Sequence, residues 1–338
     1  MIGGHVMAKV TIKEIAQISG VSTATVSRVL NNAGGYSDET KRRVLEVLEK
    51  YHYQTNVMAK GLRTRQTKSI GVVLPDLTNE YFAKIAVAIE HVLMEKGYSI
   101  NIYNLSEDAN KERLMIRDLE SRGVDGLIYV SGYKDLPKKV KYQSIPVVCI
   151  NRLEEMDKEV PVIESDHQYG GYLAVRTLLE KGSKKIVMLR DERDILPINF
   201  RYQGYLEALK EYGYQSDSRL ICRIPFNVGH AQEAITTLIE NGIDFDGIFA
   251  SSDLLAIGAL KALQIHEIKV PVDVQVVGFD NVTFSQYSHP TLTTIHQATD
   301  QLGERASELL LDLMNNQNLD SNKRMVVPVD LVERETTR

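Results

Sequence analysis

Apolar residues at the start of the chain recur at the spacing of short amphipathic helices. Residues 11–30 read TIKEIAQISGVSTATVSRVL, and their periodicity on either side of Gly20 predicts two helices around a glycine turn. A third helix is expected from about Ser37 to His52, with Ser37 as its cap and two acidic residues in its first turn. The three helices predict a small head over residues 8–55. The positions predicted to face inward are Ile12, Ile15, Ala16, Val26, Val29, Leu30, Val44, Leu45, Val47, Leu48 and Tyr51.

The second predicted helix keeps small or basic residues on its outer face, namely Thr23, Ala24, Ser27 and Arg28. Such a face fits the major groove of DNA, where all four base pairs present different donors and acceptors. A polar face alone is typical of any surface helix. The charge distribution distinguishes a DNA-binding helix from an ordinary one. Residues 1–68 hold eleven basic and five acidic side chains, whereas the whole chain has a net charge of −5. Because basic side chains neutralise phosphates, the pattern predicts a helix-turn-helix that binds DNA.

Residues 56–68, NVMAKGLRTRQTK, follow this head and contain a brief helical pattern with several basic residues. A helix of about two turns is unstable by itself in water, because few hydrogen bonds offset the cost of nucleation. We therefore expect a hinge helix and linker that fold only when something else holds them.

From residue 69 onward, short apolar runs rich in β-formers alternate with amphipathic helices. This alternation occurs in two series, which predicts two Rossmann-like lobes, each a parallel sheet covered by helices on both faces. We expect the first lobe to span 69–164 plus 294–324, and the second to span 165–293 plus 325–335. The final run, MVVPVDLV, reads as a single last strand.

The composition is that of an ordinary globular protein with two or three domains, since 43% of its 338 residues are hydrophobic and 25% are charged. No run approaches the roughly twenty apolar residues of a membrane span, and no signal-peptide pattern is present, so we expect a cytoplasmic protein with no membrane partner. Cys149 and Cys222 lie far apart in apolar runs, which favours buried thiols. The histidines lack metal-ligand spacing, and we predict neither a metal nor a cofactor.

Polar residues follow most of the predicted strands. Ligands of open α/β sheets bind outside the carboxyl ends of the strands, so these residues predict a cleft between the lobes. For any one of them, capping of the next helix is about as common a role. The pairs are Pro75-Asp76, Asn151-Arg152, Ser165-Asp166, Arg190-Asp191, Ser252-Asp253 and Asp280-Asn281.

Several segments together resemble the LacI/GalR family of bacterial transcription regulators. They are VTIKEIAQISGVSTATVSRVLN, NVMAKGL, SIGVVLPDLTNEYF, ASSDLLAIGALKAL, and VQVVGFDN followed by LTTIHQ. The resemblance spans the chain from Val10 to Glu333. It implies a helix-turn-helix head, a core like the periplasmic binding proteins, and a homodimer that binds a palindromic DNA operator under the control of a small effector.

The resemblance also implies roles for matching residues in DNA binding. Thr23, Ala24 and Arg28 match positions that contact bases. Leu62 matches the hinge leucine that wedges into the minor groove, where an apolar side chain unstacks a base step and bends the duplex. Thr55 departs from the proline that many members carry before the hinge helix. The remaining DNA-binding positions implied are Thr11, Ser27, Asn31, Tyr36, Asn56 and Ala59.

For the effector, the resemblance to sugar-responsive members implies a cleft lined by Asn79, Tyr81, Phe82, Arg152, Arg201, Phe226, Ser252 and Asp280. Aromatic rings stack on the apolar face of a sugar, and arginine with aspartate offers donors and acceptors to its hydroxyls. Asn151 and Ser252 replace an aspartate and an asparagine that are common in the family. The set is most like a small monosaccharide pocket, and ribose is the first choice. Tyr81 or Phe82 could equally be lobe core.

Other functions remain open at this point. The core could respond to a phosphoprotein partner or to a purine instead of a sugar. A periplasmic transport receptor would account for the core alone, but not for the basic head. A sugar-binding enzyme is the least supported alternative, because the chain has no G-x-x-x-x-G-K-[ST], no G-x-G-x-x-G and no serine elbow. We therefore predict a transcriptional regulator that acts as a repressor, and not an enzyme.

Overall fold

The computed structural model describes residues 10–51, 53, 67–105, 109–130, 145–151, 160–315 and 324–338. The chain divides into two compact units, a head up to Thr67 and a core from Lys68 onward. Predictions made for Asn56, Ala59, Leu62 and Arg152 lie outside the described residues, as does nearly all of the linker predicted at 56–68.

The head contains the three predicted helices: α1 (Ile12–Ile18), α2 (Thr23–Leu30) and α3 (Asp38–Lys50). Each begins at a side chain that accepts a hydrogen bond from the backbone of its first turn, supplied by Thr11, Ser22 and Ser37 respectively. The turn between α1 and α2 passes through Gly20 at φ +65°, a conformation that favours glycine. The helix-turn-helix geometry is therefore encoded locally, by caps and one glycine.

The small core of the head is formed by Ile15, Ala16, Val26, Val29, Val44 and Leu48. Two inward predictions for α3 are wrong, because Leu45 is 46% exposed and Tyr51 is 39% exposed. Leu45 lies about 100° around the helix from Val44, which places it beside the buried stripe instead of within it. Tyr51 is the C-cap residue, so it has already left the helical pattern.

The core contains the predicted alternation of strands and helices. Its first part consists of β1 (Ser69–Leu74), α4 (Glu80–Glu95), β2 (Ser99–Asn104), α5 (Ala109–Arg122), β3 (Gly126–Val130), β4 (Val147–Ile150) and β5 (Val162–Ser165). Its second part consists of α6 (His167–Glu180), β6 (Ile186–Asp191), α7 (Leu196–Glu211), β7 (Ile221–Ile224), α8 (Val228–Glu240), β8 (Gly247–Ala250), α9 (Asp253–Ile265), β9 (Gln275–Asp280), α10 (Thr283–Tyr287), β10 (Thr293–Gln297), α11 (Thr299–Met314), β11 (Arg324–Val327) and β12 (Val329–Val332).

The strands form two six-stranded sheets, with orders β11-β5-β4-β3-β1-β2 and β12-β10-β9-β8-β6-β7. All pairs are parallel except β10 with β12. The first sheet packs against α4 and α11 on one face and against α5 on the other. The second sheet packs against α8 and α9 on one face and against α6 and α7 on the other. Each lobe is therefore doubly wound, as predicted.

The places where the chain crosses between the lobes differ from those predicted. Strand β10 was expected in the first lobe from residue 294, yet it pairs with β9 and β12 in the second sheet. Strand β11 was expected in the second lobe from residue 325, yet it pairs with β5 in the first sheet. The single last strand is interrupted at Pro328, which has no backbone N–H for a ladder and separates β11 from β12. The crossings therefore lie near Asp166, Ala298 and Pro328.

Candidate functional site

The outer face of α2 presents the residues that the sequence singled out. Thr23, Ala24 and Arg28 are exposed and Ser27 is partly exposed, while Val26 and Val29 on the opposite face are buried. Residues four apart on a helix share a face, so the four lie side by side. The first turn of α2 holds no acidic residue, and Arg28 lies in its last turn. This surface offers hydroxyl groups, a methyl group and a guanidinium with no neighbouring carboxylate on the same helix.

The other predicted DNA-contacting residues of the head are also engaged in local structure. Thr11 forms a capping box with Glu14, whose carboxylate accepts from the Thr11 N–H at 2.7 Å. The Asn31 amide donates to the Ser27 carbonyl oxygen at 2.7 Å. The Tyr36 hydroxyl donates to Asn32 at 3.1 Å. The Thr11 bonds stabilise the start of α1, and the Asn31 and Tyr36 bonds stabilise the chain at and just after the end of α2.

In the core, a cleft opens at the carboxyl ends of the strands of both lobes. It encloses about 490 Å³ of space, its open mouth included. All seven predicted effector residues that the structure describes line it. The lining consists of Asn79, Tyr81, Phe82, Asn151, Asp191, Arg193, Ile195, Pro197, Ile198, Arg201, Phe226, Ser252 and Asp280.

Arg201 lies at the centre of this cleft on α7, with its guanidinium carbon 3.7 Å from the centroid of the Phe279 ring. Its guanidinium donates to the Ser251 carbonyl oxygen and lies 3.7 Å from a carboxylate oxygen of Asp280. Burial lowers the pKa of Arg201, and the Asp280 carboxylate opposes that shift. A buried, stacked guanidinium of this kind is held in one orientation for planar recognition of oxygen atoms.

Asp280 ends strand β9 with φ at +114°, outside the region that non-glycine residues usually adopt. The Gln297 amide donates to its carboxylate at 2.6 Å. Burial raises the pKa of Asp280 to about 6, although Arg201 and Gln297 both lower it. The carboxylate is therefore mostly ionised at neutral pH and can accept hydrogen bonds from hydroxyl groups in the cleft.

Close helix packing positions Arg201. A Cβ atom on Gly171 of α6 would lie 2.2 Å from the Arg201 carbonyl oxygen, and one on Gly204 of α7 would lie 2.1 Å from the Gln168 carbonyl oxygen. Only glycine at both positions lets α6 and α7 approach so closely. One turn before Gly171, the His167 ring lies buried against Arg201, at 3.4 Å from its nitrogens.

The lobes also meet outside the cleft. The Glu80 carboxylate, in the first turn of α4, accepts the Thr283 N–H at 2.9 Å and its hydroxyl at 2.5 Å. Lys84 lies 2.7 Å from the same carboxylate. Glu80 belongs to the first lobe and Thr283 to the second, so this contact links the lobes through α10.

Sequence reasoning missed several lining residues. The Asp191 carboxylate accepts hydrogen bonds from Arg193, whose guanidinium lies 5.5 Å from the centroid of the Phe226 ring. Asp191 was visible as a polar strand end, and Arg193 two residues later carried no separate signal. Asn151 was visible as a polar strand end and as a departure from the family pattern, but it was not among the predicted effector residues. Ser252 lines the cleft but also caps α9, accepting from the Leu255 N–H at 3.3 Å.

Within the described residues, no three histidine, cysteine or acidic side chains are grouped so that they could hold a metal ion. The same part of the chain contains no helix long and apolar enough to cross a membrane. The head and the two-lobed core thus define a class of protein that joins a helix-turn-helix to a small-molecule binding core.

Comparison with known proteins identifies the family within that class. Residues 11–56 match the model for bacterial regulatory proteins of the lacI family, and residues 67–335 match the model for periplasmic binding proteins and the sugar-binding domain of the LacI family. The chain belongs to the LacI family. It is a transcriptional regulator and not an enzyme, which confirms the prediction from the sequence.

Relatives extend over nearly the whole chain. The ribose operon repressor of Halalkalibacterium halodurans is 34% identical over 97% of this chain and 97% of that protein. The HTH-type transcriptional repressor PurR of Mannheimia succiniciproducens is 34% identical over 89% of this chain and 91% of that protein. The lac repressor dimer bound to operator and the anti-inducer ONPF has a TM-score of 0.87 and 25% identity, covering 98% of this chain and 99% of that one. A LacI family regulator from Enterococcus faecium with bound ribose has a TM-score of 0.70 and 27% identity, covering 80% and 98%.

Proposed function

We propose that this regulator is a repressor that binds a palindromic operator as a homodimer and responds to a ribose-like sugar in the cleft between its lobes. The observation that carries the proposal is the cleft itself, which gathers residues of both lobes around one cavity. A ligand that contacts both lobes has different affinity for different lobe arrangements, and such a difference is what allows an effector to shift DNA affinity. We propose a cytoplasmic location, which fits the DNA partner of a bacterial regulator.

The chemistry of the lining favours a small uncharged polyol. Two arginines, Arg193 and Arg201, are matched by two aspartates, Asp191 and Asp280, so the described lining carries no excess of positive charge for a phosphate group. Phe226 and its apolar neighbours suit the C–H face of a sugar, while the polar groups suit its hydroxyls. The ribose operon repressors among the relatives and the ribose in one solved relative support the same choice.

Binding of D-ribose can be measured by the thermal stability of the purified protein. At a concentration of D-ribose one hundred times its Kd, the stabilisation is about 2.7 kcal/mol, which raises Tm by roughly 5–10 °C. We expect Arg201→Met and Asp280→Asn to abolish the rise. Arg219→Met is the matched control, because Arg219 is exposed and paired with Asp217 far from the cleft lining. A rise with purine bases and none with any sugar would point to the alternative effector class.

For DNA, we propose that Thr23, Ala24 and Arg28 contact bases, and that Thr11, Ser27, Asn31 and Tyr36 contact the backbone. Asn56, Ala59 and Leu62 would contribute from the hinge helix. A selection from random duplexes with the purified protein should recover a palindrome. Arg28→Ala should weaken binding to it about tenfold or more, since one good base contact is worth ~1–3 kcal/mol. Arg42→Ala removes the same charge from α3. It should weaken binding to the palindrome and to random duplexes by the same factor.

We further propose that a second copy of the chain covers an exposed apolar surface that spans both lobes. Val87 and Met94 lie on the same stripe of α4 as Glu80 and are 67% and 59% exposed. Phe284 and Tyr287 on α10 are 70% and 78% exposed, and the Glu80–Thr283 contact joins α10 to α4. The solved lac repressor that resembles this chain is a dimer, which supports a second copy of the chain as the partner at this surface.

Sedimentation of variants tests the dimer. Tyr287→Asp should convert a dimer into a monomer, because a carboxylate in an apolar interface must be desolvated. Val272→Asp is the control, since Val272 is 64% exposed but lies between α9 and β9, away from this surface. A monomeric wild type, or a Tyr287→Asp protein that remains dimeric, would contradict the assignment.

A further inference from the structure

Four buried side chains form one hydrogen-bonded chain between the lobes, and three of them also line the cleft. Nε and Nη2 of Arg201 lie 3.4 Å from Nδ1 of His167. Nε2 of His167 lies 3.0 Å from Oδ1 of Asn151, and Nδ2 of Asn151 lies 3.4 Å from the Tyr81 hydroxyl. All four residues are 6% exposed or less. His167 and Arg201 belong to the second lobe, whereas Asn151 and Tyr81 belong to the first.

The guanidinium of Arg201 fixes the direction of every bond in this chain. It has donors only, so His167 must accept at Nδ1. A neutral imidazole that accepts at Nδ1 carries its hydrogen on Nε2, and this hydrogen is donated to the Asn151 oxygen. The Asn151 amide group then donates to the Tyr81 oxygen. The Tyr81 hydroxyl hydrogen is then available either to the neighbouring Ser165 hydroxyl or to an acceptor in the cleft, which Tyr81 lines.

The surroundings of His167 favour this neutral tautomer. A hydrogen on Nδ1 would face the Arg201 guanidinium, and a second ring hydrogen would add a positive charge beside it. Burial and the charge of Arg201 both lower the pKa of His167 well below its usual value. The Phe279 ring, 6.1 Å away, covers another side of the imidazole. The nearby carboxylate of Asp280 is engaged with Arg201 and Gln297.

We propose that His167 is a positioning residue of the effector site, which polarises the chain from Arg201 to Tyr81 so that the Tyr81 hydroxyl donates to an oxygen of the effector. The proposal rests on the proposed sugar site and adds a residue that does not line the cleft. It assigns to the bound sugar an acceptor, such as a ring or hydroxyl oxygen, at the Tyr81 hydroxyl. The direction of the Asn151–Tyr81 hydrogen bond in the first lobe thus depends on Arg201 of the second lobe.

The tautomer can be measured without any effector. The full chain labelled with ¹⁵N-histidine contains eight histidines, and the His167 signals are assigned as those lost in His167→Gln. We expect a protonated Nε2 and an unprotonated Nδ1 that do not change between about pH 5.5 and 8, since the ordinary imidazole titrates near 6.5. A hydrogen on Nδ1, or titration within this range, would overturn the proposal.

Calorimetric titration with D-ribose tests the consequence for binding. His167→Leu should weaken binding about tenfold or more, because it leaves buried donors and acceptors unpaired. His167→Gln provides one carbonyl acceptor and one amide donor, and should restore affinity to within about threefold of the wild type. Tyr81→Phe should weaken D-ribose binding in the wild type. In His167→Leu it should cause little further loss of affinity, because both substitutions act through the Tyr81 hydroxyl hydrogen.

The outcomes separate this inference from the proposed function. If the wild type binds D-ribose but the effects of Tyr81→Phe and His167→Leu multiply, the sugar site stands and the role of His167 is wrong. If His167→Gln binds as weakly as His167→Leu while both melt like the wild type, the role is also wrong. If the wild type does not bind D-ribose, the proposed effector fails, and the tautomer measurement alone decides the inference. If His167→Leu does not fold, the tautomer and the affinity of His167→Gln decide it.

Discussion

Replacing Gly204 with alanine tests how closely α6 and α7 must approach to position Arg201. The added methyl group would lie 2.1 Å from the Gln168 carbonyl oxygen and 2.4 Å from the Tyr172 nitrogen. Carbon atoms do not approach backbone atoms within about 3 Å in a well-packed interior, so the helices must separate by about 1 Å. Both obstacles are backbone atoms, which cannot rotate away as a side chain can.

The expected loss follows from two opposing effects. Overpacking costs about 1–3 kcal/mol, and a rigid backbone places this site at the upper end. Alanine regains at most about 1 kcal/mol through its higher helix propensity. We therefore expect a net loss of about 2 kcal/mol, which lowers Tm by roughly 4–8 °C in a lobed core of this size. Urea unfolding followed by circular dichroism measures the first quantity and a thermal melt the second.

A matched helical glycine gives the control. Gly229 is in the first turn of α8, where an added Cβ would meet only the Asn227 side chain at 3.0 Å. Gly229→Ala should therefore leave stability unchanged or raise it slightly. Because Arg201 lies one turn before Gly204, Gly204→Ala should also weaken D-ribose binding. Equal stability of Gly204→Ala and the wild type would refute the close-packing argument.

Three further predictions concern the cleft and its lobes. Because the pKa of Asp280 is raised to about 6 from an ordinary 3.8, its stabilising contribution is complete below about pH 4 and is lost as the pH rises to about 6. Asp280→Asn should thus gain up to ~3 kcal/mol relative to the wild type between pH 4 and 6, measured by urea unfolding, and a flat difference would contradict this. D-ribose affinity of the wild type should fall as the pH drops below 6, since a protonated carboxyl loses an acceptor; a constant Kd by calorimetry would argue against a contact with Asp280. Glu80→Gln should lower the free energy of unfolding by less than about 1 kcal/mol, because the carboxylate is partly exposed. A larger loss, measured by denaturant titration, would contradict this and show that the hydrogen bonds to Thr283 contribute more than an exposed contact does.

Much of the fold could be predicted because the local signals agree with one another. The caps at Thr11, Ser22 and Ser37 and the glycine turn at Gly20 encode the head without reference to distant residues. Likewise, the alternation of strands and helices encodes two doubly wound lobes. The crossings were not predicted correctly, because which sheet a short strand joins depends on its partners. Strands β10 and β11 carry no pattern that distinguishes one sheet from the other.

The site could be predicted only in part for a similar reason. Asp280 was recognisable as the polar end of a strand in a βα repeat, whereas Asn79 was implied by the family resemblance. His167 follows the helix cap Asp166 and reads in the sequence as an ordinary first-turn residue. Its partner Arg201 is 34 residues away and its partner Asn151 is 16 residues away, so their meeting appears only in three dimensions.

The central claim is that a sugar in the cleft changes the affinity of the head for DNA. It is tested most directly by titrating the full chain into its selected palindromic duplex, labelled for fluorescence anisotropy, with and without saturating D-ribose. We predict a change in Kd of about fivefold or more, the usual range of allosteric coupling, that disappears in Asp280→Asn while binding without sugar is retained. An unchanged Kd in the presence of D-ribose that calorimetry shows to be bound would contradict the account.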